Sequence, residues 1–445
     1  MLSLRPQLHD LVGSTASRTL AQLREWDLQP GEHSIQVGVA LDPSATQARR
    51  LLATTLIDML MRLDPLVGLV VVDAPTLNDV ALASELGLRI PLVVEDGPAD
   101  VDLSIGVGTT TSPHDLVVDG SGWVAVLGDR AEVDDDGNPI GALAAAALGC
   151  AEVFKIALGR AFPDVAGRLD LTPWWGAFSL FSYGNDGASP AITPMTIDTT
   201  LVGLGGVGAG FLRAMAGLGP LVSGSLRLVD EDHLTTHNLN RVSYATVDAA
   251  VSELPKVVEA ATWLRGSCPN LTVTDHQEPF DRYRRHVSAR REDRRYDVVV
   301  TGLDSDEARW EVQRDLPRIL IDGATGKDMV ARVERVEFGR YGCLGCTRRS
   351  APVEAPVDCD APPDEHAPSL SFVSAYPGIL AAGEVIKEAL GLGGLRGQFD
   401  HMFRYGPNPE RVAMLRMRAD CQVQCGRASK IDQYRRKYPN EAFLV

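Results

Sequence analysis

The sequence predicts an α/β protein with two tandem Rossmann-like domains, a degenerate copy and then an intact one, each on a mainly parallel sheet with antiparallel additions. Three observations predict this fold class. Short apolar runs alternate with helical stretches, a glycine-rich turn follows the apolar run 199–204, and one nine-residue helical stretch occurs twice. Alternation of apolar strands with helices is typical of parallel sheets that helices cover on both faces.

In the first half, the pattern of apolar residues predicts four strands and two helices. The strands are 34–41, 67–75, 90–96 and 101–108, and the helices are 44–63 and 141–159. We expect the intervening polar and Gly/Pro-rich stretches to be loops.

The second half repeats this plan. The predicted strands are 199–204, 225–229, 271–275, 297–301 and 318–322, with antiparallel additions at 329–338 and 411–418; the predicted helices are 206–218, 252–265, 305–315 and 376–391.

The internal repeat lies in the last helix of each half. Residues 151–159 (AEVFKIALG) and 383–391 (GEVIKEALG) are identical at six of nine positions. We therefore expect a degenerate domain at 1–165 and an intact domain at 197–425, joined by a linker at 166–196. A crossover loop is expected at 347–375 and a C-terminal tail at 426–445.

Composition and charge limit the partners. The 445 residues are 45% hydrophobic and carry a formal net charge of −16, which argues against a nucleic-acid groove lined with Lys and Arg. The longest unbroken apolar runs are too short for a bilayer span, and the first residues lack the apolar core of a secretory signal. We expect a cytoplasmic protein without membrane partners, whose seven cysteines are metal ligands or nucleophiles rather than disulfides.

The glycine-rich turn predicts a nucleotide site. It comprises Gly203, Gly205, Gly206 and Gly208, follows an apolar strand and opens a helix. Glycines permit a tight turn and close backbone approach, and the helix N-terminus offers amide donors to phosphate. Asp230 ends the next strand, where a carboxylate accepts hydrogen bonds from ribose hydroxyls. These features fit NAD and ATP equally well.

Four further residues favour a triphosphate. Asn238 and Arg241 follow the strand that Asp230 ends, Lys256 begins a helix, and Asp304 follows another strand, where it can hold Mg²⁺. Cations that clamp phosphate oxygens bridged by Mg²⁺ serve phosphate chemistry rather than hydride transfer.

This ordered set resembles the ThiF/MoeB/HesA superfamily, which includes ubiquitin-activating enzymes, over residues 197–425. The resemblance implies that Mg-ATP adenylates the C-terminal carboxylate of a ubiquitin-like β-grasp protein, with release of pyrophosphate. Asp230 would bind ribose, Asn238, Arg241 and Lys256 the phosphates, and Asp304 Mg²⁺. Asp304 precedes Ser305 where the family usually has Asn, a departure that leaves the metal ligand in place.

Two cysteine pairs predict a structural zinc site. Cys343 and Cys346 have the spacing of half a tetrahedral site, and Cys421 and Cys425 supply the other half. The three-residue gap in the second pair departs from the family's usual two. Four thiolates leave no open position on the metal, so zinc would have no catalytic role.

Cys359 lies on the acidic, proline-rich loop, thirteen residues past Cys346. The resemblance implies that a cysteine here can take the activated acyl group as a thioester, which a conjugating enzyme would then receive. Its neighbours Asp358 and Asp360 should raise the pKa of the thiol, which instead favours an incidental loop cysteine. Both readings stay open.

The first half lacks the glycine turn and the residues that follow it, so it cannot cradle a triphosphate. The resemblance implies a pseudo-dimer within one chain, and whether that unit dimerises again stays open. Arg18 and Arg24 are candidates for an arginine that reaches ATP from this half. The alternative functions are sulfur-carrier adenylation, adenylation of a ribosomal peptide, an NAD-dependent oxidoreductase and a non-catalytic scaffold.

Overall fold

The structure is a computed structural model of the chain. It describes residues 19–438, except 21, 24–27, 29–33, 42–44, 74–91, 96–99, 109–112, 130–132, 134–137, 168, 184–189, 290–297, 327–328, 339, 348–368, 404–409, 414–415, 419–420 and 422. Cys359, Arg18 and Arg24, and most of the expected crossover loop, lie outside the described residues.

Seven strands form the first sheet, in the order β3-β2-β1-β4-β5-β6-β7. The first five strands in this order are parallel to one another, and β6 and β7 are antiparallel additions. The strands are β1 Ile35–Leu41, β2 Val67–Asp73, β3 Leu92–Glu95, β4 Leu103–Val107, β5 Leu116–Ser121, β6 Val124–Gly128 and β7 Gly176–Ser179.

Eight strands form the second sheet, in the order β10-β9-β8-β11-β12-β13-β14-β15. The order again begins with five parallel strands, and three antiparallel strands extend it. The strands are β8 Met195–Val202, β9 Val222–Val229, β10 Leu271–His276, β11 Val298–Thr301, β12 Ile319–Gly326, β13 Val330–Glu337, β14 Gln398–Met402 and β15 Glu410–Ala413.

The helices cover and connect these sheets. They are α1 Gln47–Leu60, α2 Pro139–Ala161, α3 Gly206–Leu218, α4 Val247–Val251, α5 Lys256–Ser267, α6 Phe280–Ala289, α7 Asp306–Arg314, α8 Leu344–Thr347, α9 Ser371–Ala389 and α10 Ala428–Lys437. Helix α2 packs on α1, β5 and β6, whereas α9 packs on α3, β12 and β13. The two long helices also pack on each other, with the rings of Phe154 and Phe372 5.6 Å apart, so one apolar core runs through both halves.

Helix α2 is long and apolar enough to cross a membrane by length and composition, but 94% of its most apolar window is buried inside the protein. The alanine-rich run 142–147 is fully buried. Small side chains allow the neighbouring elements to approach closely, which is typical of a central core helix.

The two halves share one plan, as the repeat predicts. In each half a central strand is flanked by two parallel strands, β2 and β4 around β1 and β9 and β11 around β8, and a helix follows the central strand. The repeated stretch holds a buried ion pair in both copies: Lys155 Nζ lies 2.6 Å from Glu152 Oε1, and Lys387 Nζ lies 2.7 Å from Glu384 Oε1. The predicted fold class is confirmed.

The second ion pair joins the halves. Lys387 Nζ donates to the carbonyl of Leu180 at 2.8 Å and lies 4.3 Å from the ring centroid of Tyr183, whose hydroxyl donates to Glu384 Oε1 at 2.5 Å. Burial raises the pKa of Glu384, but the charges of Lys387 and Arg335 outweigh burial and hold it below its ordinary value. Leu180 and Tyr183, the two residues of the first half that contact this ion pair, follow β7. Strand β7 lies within the expected linker 166–196.

Two predicted helices differ from the structure. The expected helix 252–265 begins four residues later, at Lys256 of α5, because Glu253 has φ +50° and Pro255 is the N-cap of α5, and the short helix α4 before it was not predicted. The expected helix 376–391 begins five residues earlier, at Ser371, and contains Pro377. Proline removes one backbone donor, which a helix tolerates most easily near its start.

Four strands were not predicted, namely β5, β6, β7 and β14. Strand β5 has the sequence LVVDGS, in which Asp119 and Gly120 interrupt the apolar run. Asp119 is nevertheless fully buried, where it pairs with Arg49. The expected strand 411–418 is also shorter, because β15 ends at Ala413 and residues 416–418 form no strand.

We expect Lys387→Met to lower the free energy of unfolding by about 3 kcal/mol, because it leaves Glu384 buried beside fewer positive charges. The double variant Lys387→Met/Glu384→Met should recover most of this loss, since it removes both charges. Urea unfolding at pH 7 measures the difference. If Lys387→Met were as stable as the double variant, the charge of Lys387 would not be what stabilises the buried Glu384.

Candidate functional site

The glycine turn between β8 and α3 leaves no room for side chains at three positions, Gly203, Gly206 and Gly208. Gly203 has φ +89°, which favours glycine. A Cβ on Gly208 would lie 2.3 Å from the carbonyl oxygen of Gly203, and one on Gly206 would lie 2.6 Å from Ser374 Cβ. A Cβ on Gly205, the N-cap of α3, would meet nothing within 4 Å. The turn is therefore packed against the protein on one side and open at Gly205.

The turn lies where the strand connections reverse direction. Strands β9 and β11 flank β8 on opposite sides, and Gly302, directly after β11, has its Cβ position 3.1 Å from the Gly208 amide nitrogen. Ligands of open α/β sheets bind in such a crevice, beyond the carboxyl ends of the strands. The backbone amides at the start of α3 and the dipole of this helix favour an anion there.

Asp230 supports the turn from the end of β9. Its Oδ2 accepts from the amide of Leu204 at 2.6 Å, and its Oδ1 accepts from the amide of Asp232 at 2.9 Å. Burial raises the pKa of Asp230 above its ordinary value, against the nearby charge of Lys256. The carboxylate thus lies beside the turn, as the sequence predicts for a ribose-binding residue.

The segment Thr236–Asn240 is a 3-10 turn that carries Asn238 and precedes Arg241. Asn238 is 5% exposed, and its Oδ1 accepts from the amide of Thr235 at 2.8 Å, so its side-chain NH₂ group is the part suited to bind phosphate. Arg241 Nη1 donates to the carbonyl of His237 at 3.1 Å. Arg241 Cδ lies 3.4 Å from the Cβ position of Gly206, so this guanidinium stem lies over the glycine turn.

Lys256 lies near Asp230, beyond the end of β9. It is the first residue of α5 and is 7% exposed, and its Nζ lies 2.6 Å from Asp232 Oδ2. Its backbone amide donates to the carbonyl of Asp232 at 3.0 Å. Asp232, which the sequence analysis did not single out, thus anchors the lysine near Asp230. The signal for it was the acidic run directly after the strand.

Asp304 is exposed and follows Gly302 by two residues at the carboxyl end of β11. The next residue, Ser305, is the N-cap of α7 and accepts from the amide of Ala308 at 3.2 Å. Ser305 therefore has a local structural role where the family usually has Asn, and the Asp304 carboxylate is left at the crevice, where it can hold a divalent cation.

The corresponding position of the first half holds an ion pair. Arg49 is the third residue after the N-cap Thr46 of α1, as Gly208 is after the N-cap of α3. Its guanidinium binds both carboxylate oxygens of Asp119, at 3.0 and 2.8 Å, and its Cδ lies 2.7 Å from the Cβ position of Gly108. A side chain therefore lies where the second half has its third fingerprint glycine.

The four predicted zinc ligands converge. The Sγ atoms of Cys343, Cys346, Cys421 and Cys425 all lie within 4.8 Å of one another, and the cysteines are buried. Three of the Sγ–Sγ distances are 3.4 to 4.0 Å. These are close to the ~3.8 Å edge of a tetrahedron with zinc–sulfur bonds of about 2.3 Å. Hydrogen bonds from Cys343 and then Cys425 lower the pKa of Cys346, and the thiolate is the form of cysteine that binds metal. The cluster fits a structural zinc ion.

Comparison with known proteins places this architecture in a family. Residues 196–425, just over half of the chain, match the ThiF family. Uncharacterized protein y4jF of Sinorhizobium fredii is 30% identical over 329 residues, which cover 71% of this chain and 61% of that protein. Ubiquitin-like modifier-activating enzyme 7 of Homo sapiens is 37% identical over 112 residues, which cover 24% of this chain and 11% of that enzyme. The chain thus matches less than two thirds of each of these relatives.

Among solved structures, Escherichia coli MccB with MccA superposes with a TM-score of 0.40 at 14% identity and covers 53% of this chain and 68% of MccB. The structure of TcdA (CsdL) gives a TM-score of 0.32 at 19% identity and covers 44% of this chain and 86% of TcdA. The match over residues 196–425 contains the glycine turn, the Asn-Arg segment and the cysteine cluster. The chain belongs to the ThiF family.

Proposed function

We propose that this chain uses Mg-ATP to adenylate the C-terminal carboxylate of a small ubiquitin-like protein in the cytoplasm. The observation that carries the proposal is the position of Arg241, whose stem lies against Gly206 over a turn that is open at Gly205. A cation over a helix N-terminus stabilises the phosphates of a nucleotide. The partial match to the ubiquitin-like modifier-activating enzyme supports this substrate class.

The site residues divide the chemistry between them. In the proposed step, a carboxylate oxygen of the substrate forms a bond to the α-phosphorus, and the bond from this phosphorus to the bridging oxygen breaks. Pyrophosphate leaves with the electron pair, and an acyl-adenylate remains. Arg241, Lys256 and the amides of α3 would neutralise the phosphate charge, Asp230 would hold the ribose, and Asp304 would hold Mg²⁺. Catalysis by this set is positioning and electrostatic stabilisation.

Pyrophosphate exchange tests the possible adenylation substrates, and NADH oxidation tests the alternative chemistry. Exchange of labelled pyrophosphate into ATP that requires a β-grasp protein ending in diglycine supports adenylation of a ubiquitin-like protein or of a sulfur carrier. Exchange only with a sulfur carrier or a ribosomal peptide would support one of the other adenylation readings. NADH oxidation without exchange would support an oxidoreductase, which gives Arg241 and Lys256 no role.

We expect Arg241→Ala to lower pyrophosphate exchange about a hundredfold, because it removes a donor aimed at developing phosphate charge. Asp304→Asn should raise the Mg²⁺ concentration needed for half-maximal exchange. Arg265→Ala is the matched control, since Arg265 pairs with Asp275 at 2.7 Å on the exposed surface of the same domain. Equal rates in Arg241→Ala and Arg265→Ala would remove Arg241 from the site.

The cysteine cluster is proposed to hold one Zn²⁺, with a structural role. Elemental analysis should find about one zinc per chain, and Cys425→Ser should lose the metal and lower the melting temperature by several degrees, because metal binding stabilises the folded state. Cys150→Ser, a buried thiol of α2 outside the cluster, should keep the metal. Full metal content in Cys425→Ser would exclude the proposed ligand set.

Cys359, outside the described residues, is proposed as the acyl acceptor that passes the activated protein to a conjugating enzyme. Its thiolate would attack the acyl-adenylate carbonyl and release AMP as a thioester forms. Cys359→Ala should keep pyrophosphate exchange and lose the thiol-sensitive adduct on a non-reducing gel, whereas Cys359→Ser should form a thiol-stable ester. A thiol-sensitive adduct in Cys359→Ala would leave Cys359 as an incidental loop cysteine.

A further inference from the structure

One face of helix α1, in the first half, meets the nucleotide site of the second half. Thr55 and Asp58 lie on this face, Arg62 follows two residues after Leu60, the last residue of α1, and the three are 0%, 3% and 3% exposed. Arg62 Nη2 lies 2.8 Å from Asp58 Oδ1, so the two side chains form a buried ion pair at the end of α1. A buried pair is stable only when further hydrogen bonds satisfy its remaining polar atoms.

Arg62 uses another of its donors on the second half. Its Nη1 donates to the backbone carbonyl of Leu239, which lies inside the 3-10 turn Thr236–Asn240. Leu239 stands between Asn238 and Arg241, the two proposed phosphate-binding residues of this segment. A 3-10 turn of five residues has weak internal hydrogen bonds, so its position depends on such external contacts.

Asp58 links the same pair to the glycine-turn helix. Its Oδ2 lies 3.9 Å from Arg213 Nη2 on α3, and Arg213 Nε donates to Thr55 Oγ1 at 3.2 Å. The start of α9, which contacts the glycine turn through Ser374, is held as well, since Ser371 Oγ donates to the carbonyl of Met59 at 3.3 Å. The end of α1 thus contacts three of the elements that build the nucleotide site.

The charges at this contact also need Asp58. Arg62, Arg213 and Arg241 line one small cavity between the halves, together with Asp58. Guanidinium groups that share a partly buried cavity repel one another, and a carboxylate among them offsets this repulsion. Asp58 therefore holds Arg62 against Leu239 while it offsets the positive charge behind Arg241.

We propose that Asp58 and Arg62 of the first half are positioning residues, which hold the segment Thr236–Arg241 in the geometry that binds phosphate. This inference rests on the proposed adenylation site and deepens it: the degenerate half sets the shape of the active one. Arg62 acts through the Leu239 carbonyl and is not a catalytic residue. A hydrogen bond from a charged donor to a buried carbonyl is strong enough for this role.

The test compares Arg62→Ala, Arg62→Lys and Asp58→Asn with Lys155→Met. Lys155→Met is the matched control, because it breaks a buried ion pair of the same half, in which Lys155 contacts Glu152 and the carbonyl of Thr172. Three measurements are made on the full chain: thermal stability, Mg-ATP affinity by calorimetry, and hydrogen exchange at the amides of Arg241 and Val242. Both of these amides donate to the carbonyl of Asn238.

We expect Arg62→Ala to speed exchange at these two amides about tenfold and to weaken Mg-ATP binding about tenfold or more. Arg62→Lys should recover part of both losses, since lysine can still donate to the carbonyl, and Asp58→Asn should show the same changes as Arg62→Ala in a milder form. Lys155→Met should lower the melting temperature and leave both measurements at their wild-type values.

The inference would be overturned if Arg62→Ala had the hydrogen-exchange rates and the Mg-ATP affinity of the wild-type chain. It would also be overturned if Lys155→Met changed these two measurements as much as Arg62→Ala does. If Arg62→Ala does not fold, Arg62→Lys and Asp58→Asn decide by the same two measurements. The proposed function can fail without this inference. If the wild-type chain binds no Mg-ATP, adenylation is contradicted, but hydrogen exchange at the amides of Arg241 and Val242 still reports whether Arg62 holds the segment.

Discussion

The close approach of backbone to backbone around helix α3 is the constraint on which the rest of the structure depends. A Cβ on Gly210 would lie 2.2 Å from the carbonyl oxygen of Ala375, and one on Gly378 would lie 2.0 Å from the carbonyl oxygen of Val207. Helices α3 and α9 can therefore cross at this distance only because glycine stands at both contacts. The crossing places the start of α9 against the glycine turn, which lies at the crevice between β8 and β11.

The same crossing explains how the first half supports the second. Helix α9 packs on α3 with one face and on α2 with another, so the apolar core of the nucleotide-binding half continues into its neighbour. The ion pairs in the repeated stretch show how this shared helix layer is held, since Lys155 donates to the carbonyl of Thr172 and Lys387 to that of Leu180. Each lysine thus ties its long helix to the segment around β7.

Much of this could be predicted from the sequence because the signals are local. Helix α3 begins and ends where predicted, since a glycine turn opens it and Gly219, with φ +53°, closes it. The cysteine cluster follows from two short spacings. The start of α5 was predicted four residues too early although Pro255 marks it, because the positive φ of Glu253 has no signal in the sequence. The contact of Arg62 with Leu239 spans 177 residues and has no local signal.

Fusion of the two halves in one chain has a consequence for how the protein responds to dilution. Two separate subunits that share such a core would come apart as their concentration falls, and each would lose the support of the other. Here the connection through β7 keeps the supporting half at a high effective concentration, whatever the amount of protein in the cell. Formation of the pocket is then a property of the single molecule, so specific activity should not fall at low abundance.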